Sequence, residues 1–91
     1  MTDSDIRVQG TPNPNAAKFV VRGADLGTSS RSYFAPAEAG DDDLATRLFE
    51  VEGVRALLIV DNFITVTKAD GASWDDMVEP IRRTIQEALS S

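Results

Sequence analysis

Fifteen Asp and Glu side chains, nine Lys and Arg, and no Cys or His are what this 91-residue sequence offers for chemistry. The two absences exclude a disulfide, a thiolate nucleophile, a thiolate or imidazole metal site, and any Ser-His or Cys-His dyad. Carboxylates remain. Asp41, Asp42 and Asp43 stand together and supply oxygen ligands of the kind a hard cation takes. Consecutive acids lack the spaced ligands and tight turn of a loop site, so the run reads first as a helix cap in a solvated acidic loop. No spacing sets two carboxylates across a pocket. Lys18 and Lys68 would act as nucleophiles only if buried, and both fall in strand patterns whose exposed face suits a lysine. Neither a GxxxxGK[ST] nor a GxGxxG loop occurs. The expectation is a protein with no enzymatic activity, no cofactor and no metal.

Two segments have the make-up of contact surfaces. Thr11-Pro12-Asn13-Pro14-Asn15 is stiff, because two prolines fix φ and push the residues before them toward extended geometry. Asn13 and Asn15 can close side-chain turns. The segment reads first as a rigid connection between strands, and second as a recognition surface. Phe63, Thr65, Thr67 and Lys68 belong to a β-branched and aromatic run that a partner could meet at a strand face or edge. An ordinary core strand is the simpler reading. Trp74 is in phase with Met77, Val78 and Ile81, which makes it a core residue at a helix start before it is an interface anchor.

The elements that hold these segments follow from periodicity. Strands are predicted at Ile6–Gln9, Ala17–Arg22, Arg31–Ala35, Val54–Val60 and Phe63–Thr67. Ala17, Phe19 and Val21 share one face, and Lys18, Val20 and Arg22 the other. Val54–Val60 is a central strand buried on both faces, or a strand with one thinly covered face. Asp61-Asn62 suits a type I′ hairpin. A helix is predicted over Asp43–Val51, with Leu44, Ala45, Leu48 and Phe49 as its buried stripe and Gly53 as its left-handed C′ residue. A second runs from Trp74 to about Leu89, capped by Ser73 with Asp76 at the capping-box position. Pro80 either kinks that helix near Asp76 or begins its regular part. Gly23–Ser32 and Ala35–Gly40 read as loops. With 42% hydrophobic residues, the whole fits a single domain over 1–91, its ends at 1–5 and 90–91 frayed. The fold class is α+β, a two-layer sandwich of a mostly antiparallel sheet with two helices on one face. Apolar character on the other face would then indicate a partner. The net charge of -6 argues against nucleic acid. The longest apolar run, Ala56–Val60, is far short of the roughly 20 residues of a spanning helix. The polar, acidic start is unlike a secretory signal, so the cytoplasm is the expected compartment.

Laid out in order, these motifs resemble a known family. Thr11 to Asn15 with Lys18-Phe19, Leu44-Ala45 with Leu48-Phe49 and Gly53-Val54, Phe63 to Lys68, and Trp74 with Pro80, Ile81 and Ile85 resemble the N-terminal domain of Nfu (NifU-like) iron–sulfur scaffold proteins. The likeness covers about Ile6 to Leu89. Two departures stand out. Full-length members carry a second domain with a cluster-holding CxxC motif, whereas this chain has no Cys. The family often has Ser-Pro where Asp42-Asp43 stands here. The resemblance implies a non-catalytic protein-interaction domain, accessory to iron–sulfur cluster assembly or delivery and binding no cluster itself. It reads as the docking half of a scaffold whose ligand-bearing half is absent. Its partners would be iron–sulfur scaffold or client proteins, and it would be a monomer or weak oligomer. The alternatives are a small-ligand or metal-ion-binding domain and an oligomerising structural module.

Overall fold

In the computed structural model, which describes residues 6–23, 25–27 and 29–90, alternating side chains on five strands build one antiparallel sheet. β1 (Ile6–Gly10) and β2 (Ala16–Val21) form one hairpin. β4 (Val54–Val60) and β5 (Phe63–Lys68) form another, and β3 (Arg31–Tyr33) lies at an edge. The order across the sheet is β1-β2-β5-β4-β3. The helices are α1 (Pro36–Ala39), α2 (Asp43–Phe49) and α3 (Trp74–Ser90). The expected α+β architecture is present.

One face of the sheet makes the core. Ala17, Phe19 and Val21 of β2 match Ile64 and Val66 of β5 and Leu57 and Ile59 of β4. These bury with Leu44, Ala45 and Leu48 of α2 and with Met77, Ile81 and Ile85 of α3. Each fully buried Leu, Ile or Phe contributes about 1.5–3 kcal/mol, enough to pin both helices to this face. The β4 alternatives resolve toward a thinly covered face: Leu57 and Ile59 are buried, while Ala56, Leu58 and Val60 are only half-buried.

The edge strand is held by charge. The Asp42 carboxylate accepts from Arg31 at 2.6 Å, from the Tyr33 hydroxyl at 2.9 Å and from the Ala45 N–H at 3.1 Å. It thus caps α2 and fastens β3 to it, which is the use the molecule makes of the acidic run. Arg31 also donates to the Leu26 carbonyl at 2.8 Å. The segment after β2 is in turn stitched to the hairpin tip, with Leu26 N–H donating to the Asp61 carbonyl and Asp61 N–H to that of Gly27.

Several local expectations are corrected. The predicted loop at Ala35–Gly40 contains α1, with Pro36 in its first turn and Ala39 buried. β3 ends at Tyr33, and β2 runs one residue earlier than expected. α2 stops at Phe49 because Glu50 and Val51 bond three residues back, to Arg47 and Leu48, tightening the last turn. Gly53 is left-handed at φ +98°, yet it works in the turn closed by Val54 N–H on the Val51 carbonyl, beyond the helix end. In the Asp61-Asn62 turn only Asp61 has positive φ, at 55°, so the turn is not type I′. α3 is continuous through Pro80 from Trp74, which excludes a start at Pro80. Ser73 Oγ accepts from Asp75 N–H at 3.2 Å, a one-way cap to which Asp76 adds no return bond. The expected fraying at 1–5 lies outside the described residues.

Gly53→Ala should cost about 1–3 kcal/mol, because its Cβ would sit 3.0 Å from Met77 Sδ and 3.1 Å from Ala72 Cβ at a φ that disfavours side chains. Gly23→Ala, left-handed at φ +79° with open space around it, should cost less in the same denaturant titration. Tyr33 carries a pH signature. Loss of water around its hydroxyl, and next its bond to Asp42, raise its pKa above the ordinary 10.0. The folded state therefore holds that proton more tightly than the unfolded chain. The contribution is complete below about pH 10 and is lost as pH rises through the folded value. Tyr33→Phe should lower stability by about 1 kcal/mol at pH 7 and reduce the alkaline decline of Tm.

Candidate functional site

The sheet face turned away from the core carries no helix among the described residues. Register puts three rows there: Val20–Phe63–Val60, Lys18–Thr65–Leu58–Ser32 and Ala16–Thr67–Ala56. Most of these side chains are half-buried by their own neighbours. Lys18 Nζ lies 4.2 Å from the centre of the Phe63 ring, a cation–π contact that fixes both side chains. Phe34, just past β3, is 73% exposed. It borders a shallow depression of about 250 Å³ floored by Ser32, Ala56, Leu58, Thr65 and Thr67. Exposed aromatic surface beside an apolar sheet face is the composition of a contact surface.

The Thr11–Asn15 segment stands at one end of the sheet. Asn13 N–H donates to Thr11 Oγ1, Asn15 N–H to Asn13 Oδ1 at 2.9 Å, and Ala16 N–H to the Asn13 carbonyl at 2.9 Å. Asn13 therefore closes the local turn the sequence suggests. Asn15 reaches outward instead: its Nδ2 donates to Asp70 at 2.7 Å and its Oδ1 accepts from Lys68 Nζ at 3.0 Å. The Trp74 indole donates to the Pro14 carbonyl at 3.1 Å while its ring lies 6.3 Å from that of Phe19. The core role expected of Trp74 is thus joined to a loop anchor. Pro12, Asn13 and Pro14 remain exposed.

The predicted surface residues are therefore only partly brought together. Phe63, Thr65 and Thr67 form one column on the open face, and Thr67 meets the loop through its partner Ala16. Lys68 follows Ile64 and Val66 onto the opposite side and is committed to Asn15 and the Ala69 carbonyl. Sequence reasoning missed Leu58, Val60, Ala56 and Phe34 as members of this face. The alternation of β4 carried the signal, but the placement of β4 beside β5 and β3 did not follow from local pattern. A larger groove, about 430 Å³, lies at the start of α3, lined by Glu52, Gly53, Asp76 and Met77 among others.

An open antiparallel sheet backed by two main helices, with a tethered Pro-Asn loop at one end, defines a small α+β domain of the open-sheet class. The sequence model described as "Scaffold protein Nfu/NifU N terminal" matches residues 6–91, and the chain belongs to this family. It is 37% identical over 87 residues to a human protein, "NFU1 iron-sulfur cluster scaffold homolog, mitochondrial", the match covering 94% of this chain and 34% of that protein. A relative of the same name from Drosophila ananassae is 40% identical over 87 residues, covering 94% and 30%. The chain thus spans about a third of the length of these relatives. Among solved structures, a NifU-like protein from Saccharomyces cerevisiae superposes with TM-score 0.85 at 29% identity, over 96% of this chain and 79% of that one. Protein SAV1430 from Staphylococcus aureus gives TM-score 0.75 at 25% identity, over 88% and 96%. No helix among the described residues is long and apolar enough to cross a membrane.

Asn15→Ala should cost about 1–2 kcal/mol and speed exchange of the Asn13, Asn15 and Ala16 amides, since it removes the side-chain bonds that tie the loop to Lys68 and Asp70. Thr67 amide exchange should change less, because its strand pairing remains.

Proposed function

We propose that this domain is a non-catalytic interaction domain accessory to iron–sulfur cluster assembly or delivery, docking a cluster-carrying scaffold or client protein and binding no cluster itself. The open sheet face carries the reading: Phe63, Leu58, Val60 and Val20 lie in adjoining rows with no helix of the described residues over them. The exposed Pro12, Asn13 and Pro14 extend this surface at one end as its rigid rim. Membership of the Nfu/NifU N-terminal family, and relatives named as cluster scaffolds, support the biological setting. The sequence has no Cys or His to ligate iron in the usual way, so the cluster's ligands come from the partner. Residues 1–91 act as a single domain in this reading, monomeric or weakly self-associating.

Anaerobic incubation with iron and sulfide should leave this chain colourless, whereas a CxxC-bearing scaffold domain treated alongside should develop cluster absorption. A stable cluster on this chain alone would remove the accessory reading. In a binding titration with that loaded scaffold domain, Phe63→Ser and Leu58→Ser should each weaken association about tenfold, the scale of a central interface residue. Unchanged binding by both variants would move the docking site elsewhere.

A further inference from the structure

The charges on the open face do not match those of the molecule. The chain carries a net -6. Strand alternation nevertheless places Arg7, opposite Val20, and Lys18, opposite Thr65, on that face. Among the described residues neither forms an ion pair with a carboxylate. Both lie to one side of central β5, on β1 and β2.

Backbone geometry narrows the occupant further. β2, β5 and β4 are each paired on both sides, so the middle of the face has no free ladder groups to offer. An extended peptide laid across it would leave its own N–H and C=O groups without sheet partners. A helix brings its backbone already satisfied. At about 10 Å across it covers two strand spacings of about 4.8 Å, which seats its apolar ridge over β5 and sets its flanks above β2 and β4. This chain's own main helices commit their apolar stripes to the core, through Leu44 and Leu48 and through Met77, Ile81 and Ile85, so a second copy has none to lend. The chain's overall negative field opposes a nucleic-acid strand.

We infer that the open face receives an amphipathic helix of a partner protein, its apolar ridge on Phe63, Val20, Leu58 and Val60 and its flank above β1 and β2 acidic toward Arg7 and Lys18. This rests on the docking role proposed for the face and adds the partner's conformation and charge. The test uses two synthetic peptides of about 18 residues, five helical turns, with the same apolar stripe and either Glu or Lys on both flanks. Each is titrated into the nitrogen-15-labelled chain. The Glu peptide should shift the Val20, Leu58, Phe63 and Thr65 amides and weaken with salt, while the Lys peptide binds at least about tenfold less tightly. The variant Arg7→Glu, altered at an exposed position, should keep its melting temperature and weaken the Glu peptide severalfold. Equal binding of the two peptides would overturn the charge assignment and leave the docking role standing. Absence of shifts with both would overturn this inference, while binding of the scaffold domain in the preceding titration decides the docking role. Tighter binding of an oligothymidylate at the same amides would replace the helix with a nucleic-acid strand. Concentration-dependent shifts without peptide would replace it with a second copy.

Discussion

Burial of the row Phe19, Ile64 and Ile59, three side chains opposite one another on β2, β5 and β4, governs the rest of the molecule. All three are fully excluded from water, beneath the equally buried Ile81 and Ile85 of α3. A strand's side chains alternate with period two, so fixing this row inward fixes the next row outward. That next row is Val20, Phe63 and Val60. A slip of one residue would bury Phe63 and expose Ile64, at the loss of packing on both helices. The surface available to a partner is therefore a by-product of the core, and its register is as strongly held as the core itself. The same row continues to Arg31 on β3, opposite Ile59. This delivers the guanidinium to Asp42, so the edge strand and the α2 cap are set by the same alignment.

Much of this was legible in the sequence, and the reason differs by element. β2 and β5 could be read because their apolar positions alternate, and α3 because its stripe keeps the helical period over its 17 residues. β4 was ambiguous. Ala56 to Val60 is apolar at every position, and only the presence of helices on a single side separates a doubly buried strand from a half-covered one. The composition of the open face was hidden for a related cause. Phe63, Thr65 and Thr67 are adjacent in sequence and were seen. Leu58 and Val60 join them through pairing across the hairpin, and Phe34 through β3 on the far side of β4. Lys68 was grouped with the column by proximity in sequence, whereas its alternation and its bond to Asn15 assign it to the loop anchor. Gly53 was correctly given a left-handed backbone and incorrectly given the helix end, because the tight bonds that stop α2 at Phe49 leave no local mark.

The Asp42 site shows how one substitution of type can alter a local network while keeping its main task. A Ser at a helix start supplies one oxygen to one or two free N–H groups. An Asp supplies a second oxygen and a charge. Here Oδ1 meets the Ala45 N–H, and Oδ2 holds both Arg31 and the Tyr33 hydroxyl. The Asp42 side chain is only 8% exposed, so that charge depends on all three donors. Its neighbour Asp43 is exposed and pairs with Arg47 one turn on, a weak surface contact by comparison. The departure from the family's usual residues thus adds an attachment for β3.

Charge is distributed by layer. The first turns of α2 and α3 hold Asp43, Asp75 and Asp76, where the positive ends of the helices favour them, and Glu79 and Glu87 follow on the exposed side of α3. Helix starts draw acids for reasons of stability, which accounts for much of the net -6 without reference to a partner. Strands exert no such pull. Among the described residues, Arg7 on β1 and Lys18 on β2 pair with no carboxylate, and Lys18 rests on an aromatic ring in place of one. In the docking proposed above, a negative molecule with cations on its apolar sheet face would repel most acidic proteins at long range and attract an acidic helix only where the face itself is presented. Orientation is then selected before contact is made, and the apolar row set by Phe19, Ile64 and Ile59 supplies the affinity once the helix is seated.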